Sequence, residues 1–165
     1  MSSLLLQPDL SGDGPIHDVT PASAGWSHVG FGLHDLAAGT SVGSDGTADE
    51  ICLVLLSGSV RIIAGDLDTG MLQGRVSVFD KVAPHAVYVP MKTAWRVEAG
   101  SDSELAVCRA PGTEGKLPPR LIGSQNMPLE TRGTGSNVRH VCNILPETEP
   151  ADSLLVVEVI TPAGN

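Results

Sequence analysis

Three polar residues near the end of the sequence, Arg132, Arg139 and Asn143, have the types and spacing that suit binding of a carboxylate. They lie in a glycine-marked loop and in the apolar segment that follows it. Because side chains alternate across a β-strand, Arg139 and Asn143 would face the same way. A guanidinium is a planar fork that matches a carboxylate, so in a chain of net charge −9 it would be a local anchor for an anion. The alternative is a surface or salt-bridged role for both arginines.

The histidines do not have the spacing of a metal site. No two of them are separated by the i, i+2 or i, i+4 interval that places two ligands on one face; they are His17, His28, His34, His85 and His140. No metal site is therefore predicted within this chain, and the catalytic residues are left unassigned. The alternative is a metalloenzyme that completes its site from two chains through His28, His34 or His85.

A proline turn between two alternating segments, VYVPMKTAWRV at 87–97, bears on the same question. In one large class of barrel enzymes this turn is written Pro-x-Gly-x-x-His, and the histidine binds a metal. Here Lys92 occupies the glycine position and Trp95 occupies the histidine position. The sequence therefore predicts a barrel of that kind without this ligand.

Two acidic residues, Asp49 and Glu50, directly precede the apolar run ICLVLL at 51–56. A carboxylate at this point could reach the mouth of a barrel. The alternative is a solvated strand end.

The elements that must position these residues are short β-strands separated by turns. The run at 51–56 has no polar alternation, as expected for a strand buried on both faces. No segment keeps a helical period for three turns, although a helical turn near Asn126–Thr131 is possible. The pattern predicts an all-β barrel or sandwich, with further strands at 29–33, 59–64, 75–79, 86–90, 94–99, 104–110, 138–145 and 153–160.

The spacing of prolines and glycines divides the chain into three parts. Residues 1–25 are predicted to form an extended arm, and residues 26–118 a barrel without a metal site. Residues 119–165 follow a proline-rich segment and hold two strongly apolar strands. They are predicted to be a linker and the first strands of a second, incomplete barrel.

Composition limits the partners and the compartment. A net charge of −9 disfavours nucleic acid as a partner, because the chain would repel phosphate. Neither a basic amphipathic helix nor an apolar run long enough to cross a bilayer is present in the sequence, so no membrane association is predicted. The three cysteines are widely separated and lie in apolar segments, as free thiols in a reducing compartment do. With no signal peptide, these features predict a cytoplasmic protein.

Several blocks of the sequence resemble one known family in the same order. They are HDVTPASAGWSHVGF, DEICLVLLSGSVRI, SVFDKVAPHAVYVP, ELAVCRAP, RLIG and HVCNILPETEPADSLLVVEVITPAGN, and they extend from about His17 to Asn165. The family is the 5-deoxy-glucuronate isomerase of myo-inositol catabolism, which is close to the uronate isomerase of pectin breakdown.

The resemblance implies a bicupin fold, in which two cupin-like jelly-roll barrels occur in one chain and this sequence supplies the N-terminal half. It implies an aldose–ketose isomerisation of 5-deoxy-glucuronate to 2-deoxy-5-keto-gluconate, and a homo-oligomer. The sugar-acid substrate would use Arg132, Arg139 and Asn143.

The resemblance also implies a divalent metal, zinc, in the C-terminal barrel. The N-terminal barrel would be structural, which accounts for Trp95 at the ligand position. Glu50 falls one residue from the usual carboxylate position relative to Gly58. The segment with the first metal-binding histidines would follow Asn165, so this chain is expected to be a fragment or a truncated product that binds no cofactor. The alternative function is a metal-free cupin that acts as a binding or assembly module without catalysis.

Overall fold

The computed structural model describes residues 5–12 and 14–164, and these residues are built almost entirely from β-strands. The prediction of an all-β protein is confirmed. A single short helix in this part of the chain, α1, spans Pro21–Ala24, and 3₁₀ turns occur at Ser124–Asn126 and Gly135–Asn137. The strands are β1 (His17–Val19), β2 (Gly30–Leu36), β3 (Ser41–Ser44), β4 (Asp49–Ser57), β5 (Ser59–Ala64), β6 (Leu67–Gln73), β7 (His85–Val89), β8 (Trp95–Ala99), β9 (Ser103–Pro111), β10 (Arg120–Ile122), β11 (Leu129–Arg132), β12 (Arg139–Leu145) and β13 (Val156–Ile160).

The strands pair antiparallel into three sheets within the described residues. Sheet A has the order β1-β2-β9-β4-β7-β10, sheet B the order β3-β8-β5-β6, and sheet C the order β11-β12-β13. Sheets A and B pack face to face around one apolar core, to which Leu53 and Leu105 contribute from sheet A and Val60 and Val97 from sheet B. We refer to this pair of sheets as the barrel. The arrangement is consistent with a cupin-like β fold.

Sheet A is the middle layer, because strand β4 is buried on both faces. Leu53 and Leu55 point into the barrel core, whereas Cys52 and Val54 point to the other side. There they pack in a second core, together with residues of sheet C such as Cys142. The unbroken apolar run at 51–56 therefore reflects burial on two sides, as predicted from the sequence.

Segment 75–79, predicted to be a strand, is a loop instead. The carboxylate of Asp80 accepts hydrogen bonds from the backbone N–H groups of Val76 and Ser77, at 3.1 and 3.0 Å, so these donors are not available to a sheet. Val76 and Phe79 are largely exposed. The alternation of RVSVF was a false signal, because local side-chain bonds outweighed strand propensity.

Other predicted boundaries also shifted. The helical turn expected near Asn126–Thr131 lies earlier, at Ser124–Asn126, and Leu129–Arg132 is strand β11. Strand β13 begins at Val156 rather than at 153. The sequence pattern missed four strands, which are β1, β3, β6 and β10.

The predicted arm, 1–25, contains regular structure in its described part. Strand β1 pairs with β2 at the edge of sheet A, with His17 opposite Leu33. The Thr20 side chain caps helix α1 by accepting from the N–H of Ser23. Residues 1–4 and 13 lie outside the described residues. The division at 25 and 118 stays a prediction.

The turn after β7 keeps a glycine-type conformation without a glycine. Lys92 has φ of +61°, in the left-handed region, and its N–H donates to the Thr47 carbonyl at 2.7 Å. A residue with a Cβ is strained there by about 1–2 kcal/mol. The local shape of the Pro-x-Gly turn is therefore retained although its sequence is not.

Replacing Lys92 with glycine is expected to stabilise the protein. Relief of strain exceeds the entropy that a glycine loses on folding, so the free energy of unfolding should rise by about 0.5–1 kcal/mol. Urea unfolding followed by circular dichroism would measure the change. Lys92→Ala is the control, since it removes the charge but keeps the Cβ; an equal gain from alanine would contradict the strain argument.

Candidate functional site

Polar side chains from four strands meet at one end of the barrel interior. His34 shares the inward face of β2 with Leu36, and Arg109 shares the inward face of β9 with Leu105. They line a cavity of about 240 Å³ with Asp49 of β4, Trp95 of β8 and four residues around β3, which are Val42, Gly43, Ser44 and Thr47. We call this space the barrel-mouth cavity. It is the part of the barrel interior where polar groups replace the apolar core.

The guanidinium of Arg109 lies across β2 because two glycines leave room for it. Arg109 pairs with Gly30 across the sheet, and a Cβ placed on Gly32 would lie 2.9 Å from Arg109 Nη2 and 3.7 Å from His34 Nε2. Arg109 Nη1 donates to Asp18 Oδ1 at 3.1 Å. Arg109 and His34 therefore converge over Gly32.

The surroundings of His34 favour its neutral form. Burial lowers the pKa of His34 and the positive charge of Arg109 lowers it further, while the negative charge of Asp18 opposes the shift in part. At neutral pH the ring then offers one donor and one acceptor.

Trp95 occupies the position that the metal-binding histidine has in the Pro-x-Gly-x-x-His turn. Its indole packs in the barrel core and lines the barrel-mouth cavity. Its Nε1 is buried and has no hydrogen-bond partner among the described residues. A buried donor of this kind is costly without a partner.

Glu50 points the opposite way from Asp49 and is fully buried behind sheet A. Within the described residues its carboxylate accepts from the Tyr88 hydroxyl at 2.8 Å, from the backbone N–H groups of Asp152, Ser153 and Leu154, and from the Ser153 hydroxyl at 2.9 Å. Burial, followed by the bond to Glu50, raises the pKa of Tyr88. Of the two acidic residues before the apolar run, Asp49 lines the barrel mouth. Glu50 lies neither at the barrel mouth nor in solvent.

The carboxylate of Asp152 is bound by backbone N–H groups in the same way as the carboxylate of Glu50. Asp152 Oδ2 accepts from the N–H groups of residues 113–115 at 3.1, 3.0 and 2.9 Å. These bonds, that of Gly115 above all, lower the pKa of Asp152. Glu50 of β4 is bound by the N–H groups of residues 152–154, and Asp152 is bound by those of residues 113–115. We call these two sets of hydrogen bonds the carboxylate clasp. It fastens the segment before β13 to the barrel.

Arg75 makes a further attachment between the barrel and sheet C. Its side chain is only 2% exposed and forms a two-pronged ion pair with Glu158 of β13. The same guanidinium donates to the carbonyls of Leu56 and Val82, at 2.8 and 3.1 Å. Neither Arg75 nor the clasp was identified from the sequence.

The structure brings two of the three predicted anion-binding residues together. Arg132 and Arg139 are direct cross-strand partners in sheet C, and both are exposed. Arg132 is paired with Glu130 at 2.7 Å, and Arg139 Nη2 donates to Asn137 Oδ1 at 2.6 Å. The role of these residues stays a prediction.

Asn143 lies apart from the two arginines, about 13 Å along β12 from Arg139 by the usual rise per residue. It lines a different cleft, of about 540 Å³, with Arg120 and Glu149. Arg120 lies over the Tyr88 ring, 4.8 Å from its centroid. Its buried Nη2 lies 3.7 Å from Glu149 Oε2 as an ion pair, but it makes no hydrogen bond within the described part of the chain. No sequence pattern marked Arg120.

The described residues do not supply a donor set for a metal. Across 5–12 and 14–164, no group of three or more histidine, cysteine or acidic side chains is placed to hold an ion. His34 is inside the barrel and His28 is exposed, whereas His85, at the start of β7, accepts a 3.3 Å hydrogen bond at Nδ1 from the N–H of Ser124. None of the helices in these ranges is long and apolar enough to cross a membrane.

The fold and the site define a class of protein, an all-β protein in which two antiparallel sheets enclose a core with a polar cavity at one end. The particular family follows from comparison. A model of the KduI/IolB family matches residues 4–165, and the chain belongs to that family. The resemblance found in the sequence is confirmed.

Individual relatives agree. The chain is 47% identical over 153 residues to a protein named 5-deoxy-glucuronate isomerase from Geobacillus kaustophilus, covering 93% of this chain and 55% of that protein. It is 36% identical over 170 residues to one of the same name from Halalkalibacterium halodurans, covering 100% and 63%. The crystal structure of an IolB-like protein from Salmonella typhimurium LT2 superposes with a TM-score of 0.93 at 44% identity, covering 99% of this chain and 61% of that one. This chain thus spans somewhat more than half the length of these relatives.

Proposed function

We propose that the protein acts in the isomerisation of 5-deoxy-glucuronate to 2-deoxy-5-keto-gluconate, an aldose–ketose conversion of inositol catabolism. The observation that carries the proposal is the 47% identity over 153 residues to a protein named for that activity. A relative at 36% identity over the whole chain, with the same name, supports it. The substrate would be a small sugar acid.

We place the chain as the N-terminal half of a bicupin, with residues 26–118 as the first barrel and 119–165 as the start of a second. Sheet C supports this division, since it packs on the side of sheet A away from the barrel core. Its outward face carries Val157 and Val159, which are 54% and 47% exposed. Exposed valines on a sheet face are suited to packing against further chain.

The family's divalent metal, taken to be zinc, does not fit the described residues, because they bring together no donor set. An aldose–ketose isomerisation needs a base that moves a proton between adjacent carbons and a group that polarises the carbonyl. We place both in the part of the relatives that this chain does not span. The role proposed for this chain is to position and bind.

For binding, we assign the substrate carboxylate to Arg139 and Arg132, with Asn143 as a further polar contact. The two guanidinium groups are cross-strand neighbours and would compensate locally for the net charge of −9. We further propose a cytoplasmic homo-oligomer. The three free cysteines, two of them buried, suit a reducing compartment.

The direct test is an isomerase assay on the native protein isolated from its source cells. With a divalent metal supplied, native protein whose intact mass shows that it includes the part that the relatives have beyond this chain is expected to convert 5-deoxy-glucuronate, followed by proton NMR. The intact mass of the same preparation would be measured beside it. No conversion by native protein with metal present would overturn the proposed function.

Arg139→Ala tests the anion anchor in that preparation. The loss of one charge-assisted contact is expected to weaken uronate binding, measured by calorimetry, by about tenfold or more. Arg61→Ala is the matched control, because Arg61 is a half-exposed, ion-paired arginine on sheet B. Equal binding by Arg139→Ala and the parent protein would refute the anchor while leaving the isomerase proposal standing.

A further inference from the structure

We propose that the barrel-mouth cavity is a binding site for a small uncharged polyol, with Asp49, Arg109 and His34 as its polar contacts and Trp95 in its wall. The site lies inside the barrel, on the opposite side of sheet A from the clasp and from sheet C. The proposal therefore does not depend on the isomerase activity or on the Arg139 anchor.

The lining offers both donors and acceptors. Arg109 Nη2 lies over Gly32 beside His34 and is a donor, and the Trp95 side chain forms part of the wall. Asp49 supplies carboxylate oxygens that only accept, and a neutral His34 supplies one group of each kind. A hydroxyl group both donates and accepts, so a molecule that carries several hydroxyls matches this mixture.

The charges favour an uncharged ligand over a carboxylate. Asp18 already pairs with Arg109 at 3.1 Å, which neutralises the guanidinium. Asp49 then adds a negative charge to the lining, while His34 is neutral. A bound carboxylate would face Asp49, and like charges at short range in a partly buried site repel each other.

Size restricts the ligand further. The cavity of about 240 Å³ is smaller than the roughly 300–1,000 Å³ of pockets that hold drug-sized molecules. Val42 and Ile51 give it apolar walls, against which the C–H groups of a polyol can pack. A polyol of three to about six carbons is the class that fits.

Tryptophan fluorescence gives a direct measurement. The sequence has two tryptophans, of which Trp26 is 56% exposed and Trp95 only 7%. In the Trp26→Phe protein, Trp95 is the sole reporter and belongs to the site. Titration with glycerol, erythritol, xylitol and sorbitol is expected to give a saturable change for at least one of them, with a Kd of about 1 mM or tighter.

A matched pair of ligands tests the charge argument. Sorbitol and gluconate share a six-carbon skeleton, but gluconate carries a carboxylate. Gluconate is expected to bind more weakly than sorbitol by about tenfold. Tighter binding of gluconate would overturn the polyol assignment in favour of an anion site, and no saturable change with any ligand would overturn the site itself.

Variants locate the binding. Asp49→Asn and Gly32→Ala are each expected to weaken binding by about tenfold, the second because its Cβ would displace the end of the flexible Arg109 side chain. Asp35→Asn is the control, since Asp35 lies on the same strand as His34 but faces solvent. Trp95→Phe, followed by calorimetry and checked for an unchanged circular dichroism spectrum, should also lose affinity. Unchanged affinity in Asp49→Asn and Trp95→Phe would refute the site.

Discussion

Replacement of Glu50 by glutamine is expected to lower the free energy of unfolding by about 3–5 kcal/mol, the range for leaving buried charged-group partners uncompensated. The substitution keeps the size of the side chain but replaces one acceptor oxygen with an NH₂ group. Each oxygen of Glu50 accepts from at least one backbone N–H of residues 152–154. Whichever way the amide turns, an N–H group faces another N–H group in a fully buried site.

The loss of local stability should be largest in the two segments that the carboxylate clasp joins. Hydrogen exchange is expected to quicken in the segment around Asp152 and in residues 113–115 that hold its carboxylate, before it quickens in β5. Urea unfolding would give the global loss. Tyr88→Phe removes only one of the donors to Glu50 and should cost about 1.5–3 kcal/mol.

Glu98→Gln provides the matched control. Glu98 lies on β8 with a 39% exposed side chain and pairs only loosely with Arg61 and Arg96. Its replacement should change the free energy of unfolding by less than about 1 kcal/mol. A Glu50→Gln protein as stable as this control would show that the clasp contributes nothing to folding.

The sequence was most informative where the signal is local. The unbroken apolar run at 51–56 predicted a strand buried on both faces, because such a strand needs no polar side. The proline turn at 87–97 predicted that Lys92 and Trp95 stand at special positions, and the positive φ of Lys92 and the place of Trp95 in the cavity agree. Turn geometry and strand alternation depend on neighbouring residues, so one sequence is enough to recognise them.

Glu50 shows why the rest could not be predicted. The alternation of β4 places Asp49 and Glu50 on opposite faces, and this much follows from the sequence. Whether the outer face is solvent or protein depends on residues 152–154, a hundred positions later. Three of the five donors are backbone N–H groups, which every residue except proline has, so these three leave no mark on the sequence.

The contacts of the predicted anion-binding residues were also not predictable from the sequence. The sequence predicts that Arg139 and Asn143 face the same way. It predicted neither the direct pairing of Arg132 with Arg139 nor their short-range bonds to Glu130 and Asn137. Asn143 has the parity of Arg139 but lines a separate cleft, and the pairing register shifts directly after it. Arg120, which lies in that cleft, follows two prolines and has no periodic context.

Arg75→Met is expected to destabilise the protein by about 3 kcal/mol, at the lower end of the range for breaking a buried ion pair. Methionine fills much of the space of the arginine stem, so the loss comes from the polar groups left behind. Those are the Glu158 carboxylate, whose side chain is 18% exposed, and the carbonyls of Leu56 and Val82. Urea unfolding would measure it, with Arg96→Met, at a 60% exposed arginine, as the control that should change little.

The double variant Arg75→Met/Glu158→Met separates the cost of the unpaired Glu158 carboxylate from the cost of the two carbonyls that lose the guanidinium. It removes the unpaired carboxylate, and a buried pair replaced by apolar residues is often close to neutral. It leaves the Leu56 and Val82 carbonyls without the guanidinium, which should cost about 1–2 kcal/mol. The double variant is therefore expected to be more stable than Arg75→Met alone. If it is less stable, Glu158 stabilises the protein through contacts other than the one with Arg75, and the ion pair is not the source of the loss in Arg75→Met.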